Sequence, residues 1–250
     1  MPVIDLHSHI LPGLDDGVAT VEEARELARR SVTQGVTAIA ATPHVREDYP
    51  TTAEQMEAGV EALRVDFVAQ GIEIEVLRGT EVAIERLPLL QEEELPRYTL
   101  AQSGKYLLLE FPHVGFWRRL TRAVLWVRGA GLIPVLGHPE RNRDVQMELD
   151  RLEPLVTAGA IVQVTAASLD GRLGGSSQKT AQAMLKAGLV HLLASDAHGP
   201  SVREGGLADA VDAIGDRGLA RYLTEEVPRA IVAGEPVPER PVTRKWLKRR

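Results

Sequence analysis

A chain of 250 residues with 44% hydrophobic and 26% charged side chains has the make-up of a globular protein, and its net charge of −6 gives no footing for general nucleic-acid binding. No apolar run reaches the roughly 18 residues that span a bilayer, and the start Met1-Pro2-Val3-Ile4-Asp5 lacks the basic and apolar regions of a signal peptide, so a cytoplasmic protein is expected. The absence of cysteine excludes disulfides, thiolate zinc sites, iron–sulfur clusters and any cysteine nucleophile.

Residues 3–6 are a short apolar run that reads as a strand, with His7 and His9 at its end. Side chains alternate along a strand, so both imidazoles fall on one face, where they can grip one metal ion. Asp15-Asp16-Gly17 then makes a turn. Residues 20–34 read as a helix with Thr20 and Glu23 as a capping box; Ala24, Leu27, Ala28 and Ser31 line one face, and Gly35 ends it. A buried strand over 36–42 leads into Pro43-His44. A second helix over 52–70 is closed by Gly71, and a strand over 72–77 ends in Gly79-Thr80-Glu81. Residues 87–97, with the acidic run Glu92-Glu93-Glu94, read as a solvated loop or short helix.

The strand over 106–111 carries Glu110 at its far end, and a helix over 116–128 follows. The strand over 132–137 runs into His138-Pro139-Glu140-Arg141. After a helix over 146–158 comes a strand over 160–165, a glycine-rich loop over 171–175 and a helix over 176–186. A strand over 189–194 ends in Ser195-Asp196-Ala197-His198. Helices near 202–214 and 228–232 finish the chain, and 236–250 is a tail rich in proline and basic residues.

Strand and helix alternate about seven times, which argues for parallel strands with helices outside. At this length the expected architecture is α/β, a single domain over 1–235 built as a distorted TIM-like barrel, followed by the tail over 236–250.

Chemistry in such folds sits at the C-terminal ends of the strands. Here those ends carry His7 and His9 with Asp16, then His44, Glu81, Glu110, His138, and finally Asp196 with His198. Any one of them alone reads as a cap or a solvated loop residue. Their recurrence after apolar strands is the signal, because buried carboxylates and imidazoles are costly unless something pairs them. Five neutral histidines with four carboxylates exceed what one divalent ion can take. Two or three ions fit, and three would leave a positive site that attracts an anion. Ligand type suits manganese, iron or zinc. Arg141 and Arg203 could bind that anion if it is a phosphate, since guanidinium pairs with phosphate oxygens in two-point fashion.

His7-Ser8-His9, Asp15-Asp16-Gly17, Thr42-Pro43-His44, Gly79-Thr80-Glu81, Leu109-Glu110-Phe111, His138-Pro139-Glu140-Arg141 and Ser195-Asp196-Ala197-His198 together resemble the polymerase and histidinol phosphatase (PHP) superfamily. Within it the chain resembles the bacterial protein-tyrosine phosphatases of capsule and exopolysaccharide operons, the CpsB/YwqE type. The resemblance runs from Asp5 to about Arg203. It implies a distorted (β/α)7 barrel with three divalent metal ions, manganese foremost. It also implies three ligand groups: His7, His9, Glu81 and Asp196; Glu81 as a bridge with Glu110 and His138; and Asp16, His44 and His198. Arg141 and Arg203 fall where the family binds phosphate, and His198 is counted with them among the catalytic groups.

The expected activity is hydrolysis of phosphotyrosine on a protein, by in-line attack of a metal-bound hydroxide with no covalent phosphoenzyme. The resemblance implies as partner the tyrosine-rich tail of a bacterial tyrosine kinase that controls polysaccharide synthesis. Two other readings keep the site: a phosphatase for a small phosphomonoester such as histidinol phosphate or a sugar phosphate, or a phosphodiesterase. A third makes the chain a non-enzymatic metal-binding protein. No general acid is assigned. His113 and His191 have no role by the resemblance, and a structural one is expected for His191. The basic end, Arg244-Lys245-Trp246-Leu247-Lys248-Arg249-Arg250, reads as solvated, with peripheral contact to anionic lipid or a membrane-bound kinase as the sharper option.

Overall fold

The computed structural model describes residues 3–115, 117–199 and 206–241. Among the described residues nine strands carry the frame: β1 (Val3–Ser8), β2 (Val36–Ala41), β3 (His44–Val45), β4 (Glu75–Leu77), β5 (Glu81–Ala83), β6 (Tyr106–Glu110), β7 (Ile133–Gly137), β8 (Ile161–Thr165) and β9 (Leu192–Ala194). All named pairings are parallel. The strands form a three-stranded sheet, β1-β2-β4, and a six-stranded one, β3-β5-β6-β7-β8-β9.

The expected strands over 36–42 and 72–77 appear as β2 and β4, and each is followed after a short break by a further strand, β3 and β5, that the sequence reading did not include. Between β2 and β3 stands Thr42-Pro43, and proline has no N–H to give a ladder. Between β4 and β5 stands Arg78-Gly79-Thr80. At the same level both chains leave the small sheet and enter the large one, and Glu81 N–H donates to Pro43 O at 3.1 Å. The result is a short β3–β5 pairing in which His44 stands opposite Glu81.

β1 meets β9 only past the end of β9. Asp196 N–H donates to His7 O at 2.9 Å, and His9 N–H to Ala197 O at 2.8 Å. The ladders therefore draw two parallel sheets rather than a hydrogen-bonded closed barrel, and the α/β class holds in that coarser form.

The helices form where caps and apolar spacing dictate. Thr20 caps the helix Val21–Thr33 by accepting from Glu23 N–H. The Glu23 carboxylate reaches back to Ala19 N–H rather than to Thr20, so the expected box is displaced by one residue. The helix Ala53–Ala69 has a full box from Thr52 and Gln55. The expected helix over 146–158 is instead two short helices, Arg143–Met147 and Glu153–Thr157, on either side of a 3₁₀ turn at Leu149–Leu152. Asn142 starts the first by accepting from Asp144 and Val145 N–H, and Pro154 opens the second. Of the expected helix over 202–214, the stretch Ala208–Ile214 is helical; its start, with Arg203, lies outside the described residues, as does the basic end over 242–250.

Two apolar clusters fix the strands. One packs Leu6, Leu107, Leu109, Val135, Val162 and Leu193 against the surrounding helices. The other packs Ile39 and Val76 against Leu27, Met56, Leu63 and Phe67 of the first two helices. Each fully buried side chain of this size stabilises the fold by about 1.5–3 kcal/mol. The strand ends are therefore held rigidly enough to carry polar groups into the interior. Among the described residues, no helix is long and apolar enough to cross a membrane.

Candidate metal centre

β1 delivers His7 and His9 to one face, both fully buried. Each has its δ nitrogen committed. His7 Nδ1 lies 3.0 Å from Gln163 Oε1, and His9 Nδ1 lies 2.6 Å from Asp15 Oδ2. An amide oxygen and a carboxylate both accept, so each ring donates through Nδ1 and turns Nε2 inward. The two Nε2 atoms are 3.3 Å apart. Glu81 Oε2 lies 3.4 Å from His7 Nε2 and 3.5 Å from His9 Nε2, and Asp196 Oδ1 lies 3.5 Å from both. Four donor atoms thus converge on one point.

A second set meets it at His9. Donor atoms of His9, Asp16, His44 and His198 lie within 4.8 Å of one another, as do those of His7, His9 and Glu81. Asp16 Oδ1 stands 3.3 Å from His44 Nε2 and 3.4 Å from His198 Nε2. The remaining two residues are looser. His138 Nε2 lies 3.0 Å from Glu81 Oε1, but Glu110 Oε2 is 3.9 Å from His44 Nδ1, and Glu110 Oε1 accepts from Arg46 Nη1 at 3.0 Å. All nine residues expected as ligands gather at one mouth. Arg141 joins them through Nη1, 2.9 Å from Asp196 Oδ2.

The backbone is arranged for this. His138 and Asp196, both non-glycine, hold positive φ of 43° and 52°. Such residues persist only where the surroundings force them, and here the forced turn aims each side chain back over the strand ends. Gly17 has no room for a side chain: a Cβ there would sit 2.2 Å from His9 O. That close approach lets the turn place Asp15 and Asp16 on either side of the histidines.

The charge balance fits a cation. Burial disfavours a charged His7, but the carboxylates of Glu81 and Asp196 outweigh it and lift the imidazole to about 9. At His44 burial is likewise outweighed, by Glu81, Asp16 and Glu110, and the ring rises to about 10. The His198 and His44 imidazoles hold Asp16 well below the usual carboxylate range. His138 is pushed down to about 4, chiefly by burial, and presents a neutral ring. Glu81 Oε2 is buried and makes no hydrogen bond of acceptable geometry, although His44 Nδ1 is 3.1 Å away. Donor atoms that converge and leave Glu81 Oε2 and His44 Nδ1 without a hydrogen bond suit divalent ions, which would take the place of the protons.

Several residues that matter had no role of their own assigned from the sequence. Asp15 orients His9 and also accepts from His44 N–H at 3.0 Å. Gln163 orients His7 and accepts from His138 N–H at 3.2 Å; an amide between Val162 and Val164 in the strand Ile161–Thr165 was the available signal. Asp5, fully buried, accepts from Ser195 N–H at 3.0 Å and ties β1 to the stretch after β9. Arg46 offered no signal, because its pairing with Glu110 is purely tertiary. His113 stands exposed at the rim, with its ring stacked at 6.0 Å from that of His138. His191 is away from the centre: its N–H donates to Val162 O at 3.0 Å, and its Nδ1 accepts from Val162 N–H at 3.2 Å.

With this geometry in hand, comparison with known proteins is specific. A family model for capsular polysaccharide synthesis, CpsB/CapC, matches residues 3–231. The chain is 34% identical over 203 residues to the tyrosine-protein phosphatase YwqE of Bacillus subtilis, covering 80% of this chain and 79% of that one. It is 30% identical over 226 residues to the putative tyrosine-protein phosphatase CapC of Staphylococcus aureus, covering 89% and 86%. Among solved structures it superposes with a TM-score of 0.84 and 30% identity on one from the work on B. subtilis YwqE and Streptococcus pneumoniae CpsB, described as unique metal-dependent tyrosine phosphatases; the match covers 96% of this chain and all (100%) of the other. A resiniferatoxin-binding protein of Rhodobacter sphaeroides, at 14% identity and a TM-score of 0.57, shares the fold alone, over 88% of this chain and 78% of that one. The chain therefore belongs to the CpsB/CapC family of capsular polysaccharide synthesis.

Proposed function

We propose that this chain is a metal-dependent protein-tyrosine phosphatase acting in polysaccharide synthesis. The observation that carries the reading is the convergence of His7 Nε2, His9 Nε2, Glu81 Oε2 and Asp196 Oδ1, with Asp16, His44 and His198 adjoining. The activities named for the relatives supply the reaction class. The nine ligands would be His7, His9, Asp16, His44, Glu81, Glu110, His138, Asp196 and His198, holding three divalent ions, manganese foremost. In the same reading the two sheets make up one distorted (β/α)7 barrel, the domain covers 1–235, the protein is cytoplasmic, and its partner is a bacterial tyrosine kinase.

Bound divalent ions supply Lewis acidity toward phosphoryl oxygens and lower the pKa of water toward neutrality. The protein's own groups do the rest. Asp15 and Gln163 fix the tautomers of His9 and His7, so that both ε nitrogens stay turned to the centre. Arg141, one-fifth exposed and anchored on Asp196, can extend its guanidinium to the phosphate oxygens; Arg203 is assigned the same task. His198 has Nδ1 2.9 Å from the carbonyl of Asp196, two residues earlier, which aims Nε2 at Asp16 at the mouth. The rim is open: Asp16 is 43% exposed, and the hollow beside Glu110 measures about 140 Å³. An open rim gives access to a phosphate carried on a protein.

The test is turnover by the manganese-loaded chain of a phosphotyrosine peptide, histidinol phosphate and a phosphodiester. The peptide should be preferred, and His7→Ala should abolish its turnover. Hydrolysis of histidinol phosphate with the peptide untouched would overturn the tyrosine-phosphatase reading. Full activity in His7→Ala would overturn the ligand assignment.

A further inference from the structure

Two hollows lie end to end beside the metal centre. The nearer is lined by Arg46, Ala83, Glu110 and Pro112. The further, about 350 Å³, has a floor of Ile84, Leu87, Ala123 and Trp126 and carries Arg119 and Arg122. Ile84 and Glu85 line both, so the two hollows adjoin, and the nearer is lined by Glu110 of the centre. The far wall follows from helical spacing. Arg119, Arg122, Ala123 and Trp126 sit at i, i+3, i+4 and i+7 of the helix Trp117–Gly129 and share one face.

We propose that the far hollow binds a second phosphotyrosine of the polypeptide whose first phosphotyrosine occupies the metal centre; this rests on the phosphatase reading above. The floor is apolar and partly aromatic, which matches a phenyl ring. Two guanidinium groups three residues apart match a phosphate dianion, which they can grip as forks. An aspartate or glutamate would satisfy the arginines but leave the floor uncovered. An unmodified tyrosine would cover the floor but make no use of the paired charge. In a chain of net charge −6 the arginine pair is a local reversal of sign. Glu85 at the joint repels an anion there and so keeps the second phosphate at the far end. Because the two hollows adjoin, one extended peptide can engage both places, and the second contact is intramolecular once the first is made.

The experiment uses the full chain loaded with manganese and peptides of one sequence. Each carries a phosphotyrosine and, at a series of spacings on either side, a second residue that is phosphotyrosine, tyrosine, glutamate or alanine. At one spacing the doubly phosphorylated peptide should show a KM about tenfold below that of the tyrosine version, equivalent to about 1.4 kcal/mol. Arg119→Gln/Arg122→Gln should erase the difference, and Trp126→Ala should reduce it. A small aryl phosphate, too short to reach the far hollow, serves as the reference substrate for both variants. Thermal melting checks that the variants fold; if Trp126→Ala does not, the exposed arginine pair still decides the question. No preference at any spacing, an equal gain from glutamate, or an equal loss on the aryl phosphate would overturn the inference. If neither peptide nor aryl phosphate is hydrolysed, the underlying phosphatase reading falls, and this inference with it.

Discussion

Asp15 Oδ2 lies 2.6 Å from His9 Nδ1 and also accepts from the backbone N–H of His44 at 3.0 Å. One carboxylate oxygen thus sets the tautomer of one candidate ligand and the backbone position of another. Its other oxygen accepts from Gly17 N–H at 2.9 Å. Asp15→Asn keeps an acceptor for the turn but removes the charge that makes His9 a strong donor to a metal. Affinity for manganese should fall about 10–100-fold. Titration of the chelated protein with the ion measures it, and an unchanged affinity would sink this role for Asp15.

Gly17→Ala tests the turn itself. A Cβ at that position would stand 2.2 Å from His9 O and 2.4 Å from His9 Cβ, neither of which is a flexible side-chain end. The turn must shift, and with it Asp15 and Asp16. We expect a loss of about 2–4 kcal/mol, or a drop in Tm on the order of 5–15 °C, in chelated protein, where metal binding does not contribute. A melting curve that overlays the wild type would refute the steric argument.

The pH dependence of ion uptake follows from the histidines. Without an ion, His7 and His44 keep their protons up to about 9 and about 10. Both folded values exceed the ordinary imidazole value, so this stabilisation is complete below about pH 6.5 and is lost as pH rises through about 9 to 10. Chelated protein should therefore melt lower on the alkaline side of neutrality. An incoming ion displaces those protons, so loading should release acid and tighten as pH rises. A pH-stat titration reads the protons directly; loading with no release would contradict the balance drawn for the site.

His191 has the opposite sign. Burial, with the Arg240 charge behind it, pushes its ring down to about 4. The unfolded chain then binds a proton between about pH 6.5 and 4 that the folded chain refuses. Stability is complete above about 6.5 and falls as pH drops through that window. The full shift corresponds to about 3 kcal/mol, and about half of that is expected for a ring that is partly exposed. His191→Asn keeps an acceptor near Val162 N–H but cannot titrate there. Its Tm should vary less between pH 6.5 and 4 than that of the wild type, by about 3 °C or more. Parallel pH profiles would discard the assignment.

Much of this protein was legible in its residues taken in order. Period-two alternation after Val3 put His7 and His9 on one face, and the strand–helix alternation gave the parallel α/β class. Apolar runs ending in His44, Glu81, Glu110, His138 and Asp196 marked one end of the molecule as polar, because such groups are too costly to bury without a common partner. The second strand beyond Thr42-Pro43 was less legible. Proline denies a ladder bond locally, but which sheet the chain then joins depends on a strand some forty residues further on, about the separation of His44 from Glu81 in the β3–β5 pairing.

Distances between elements were decided only by the tertiary structure. Gln163 reads as one polar residue in a strand until β8 lies beside β7 and its amide reaches both His7 Nδ1 and His138 N–H. Arg46 and Glu110 are 64 residues apart in sequence, and no local pattern predicts the 3.0 Å contact that holds Glu110 off the tighter donor sets. The opening pair changes meaning for the same reason. Alone, His7 and His9 determine a face; Asp15, Gln163, Glu81 and Asp196, brought in from four other parts of the chain, determine where their ε nitrogens point. Local sequence fixes periodicity and caps because those depend on neighbours in the chain. The convergence of donor atoms depends on packing between elements, and packing is what the fold adds.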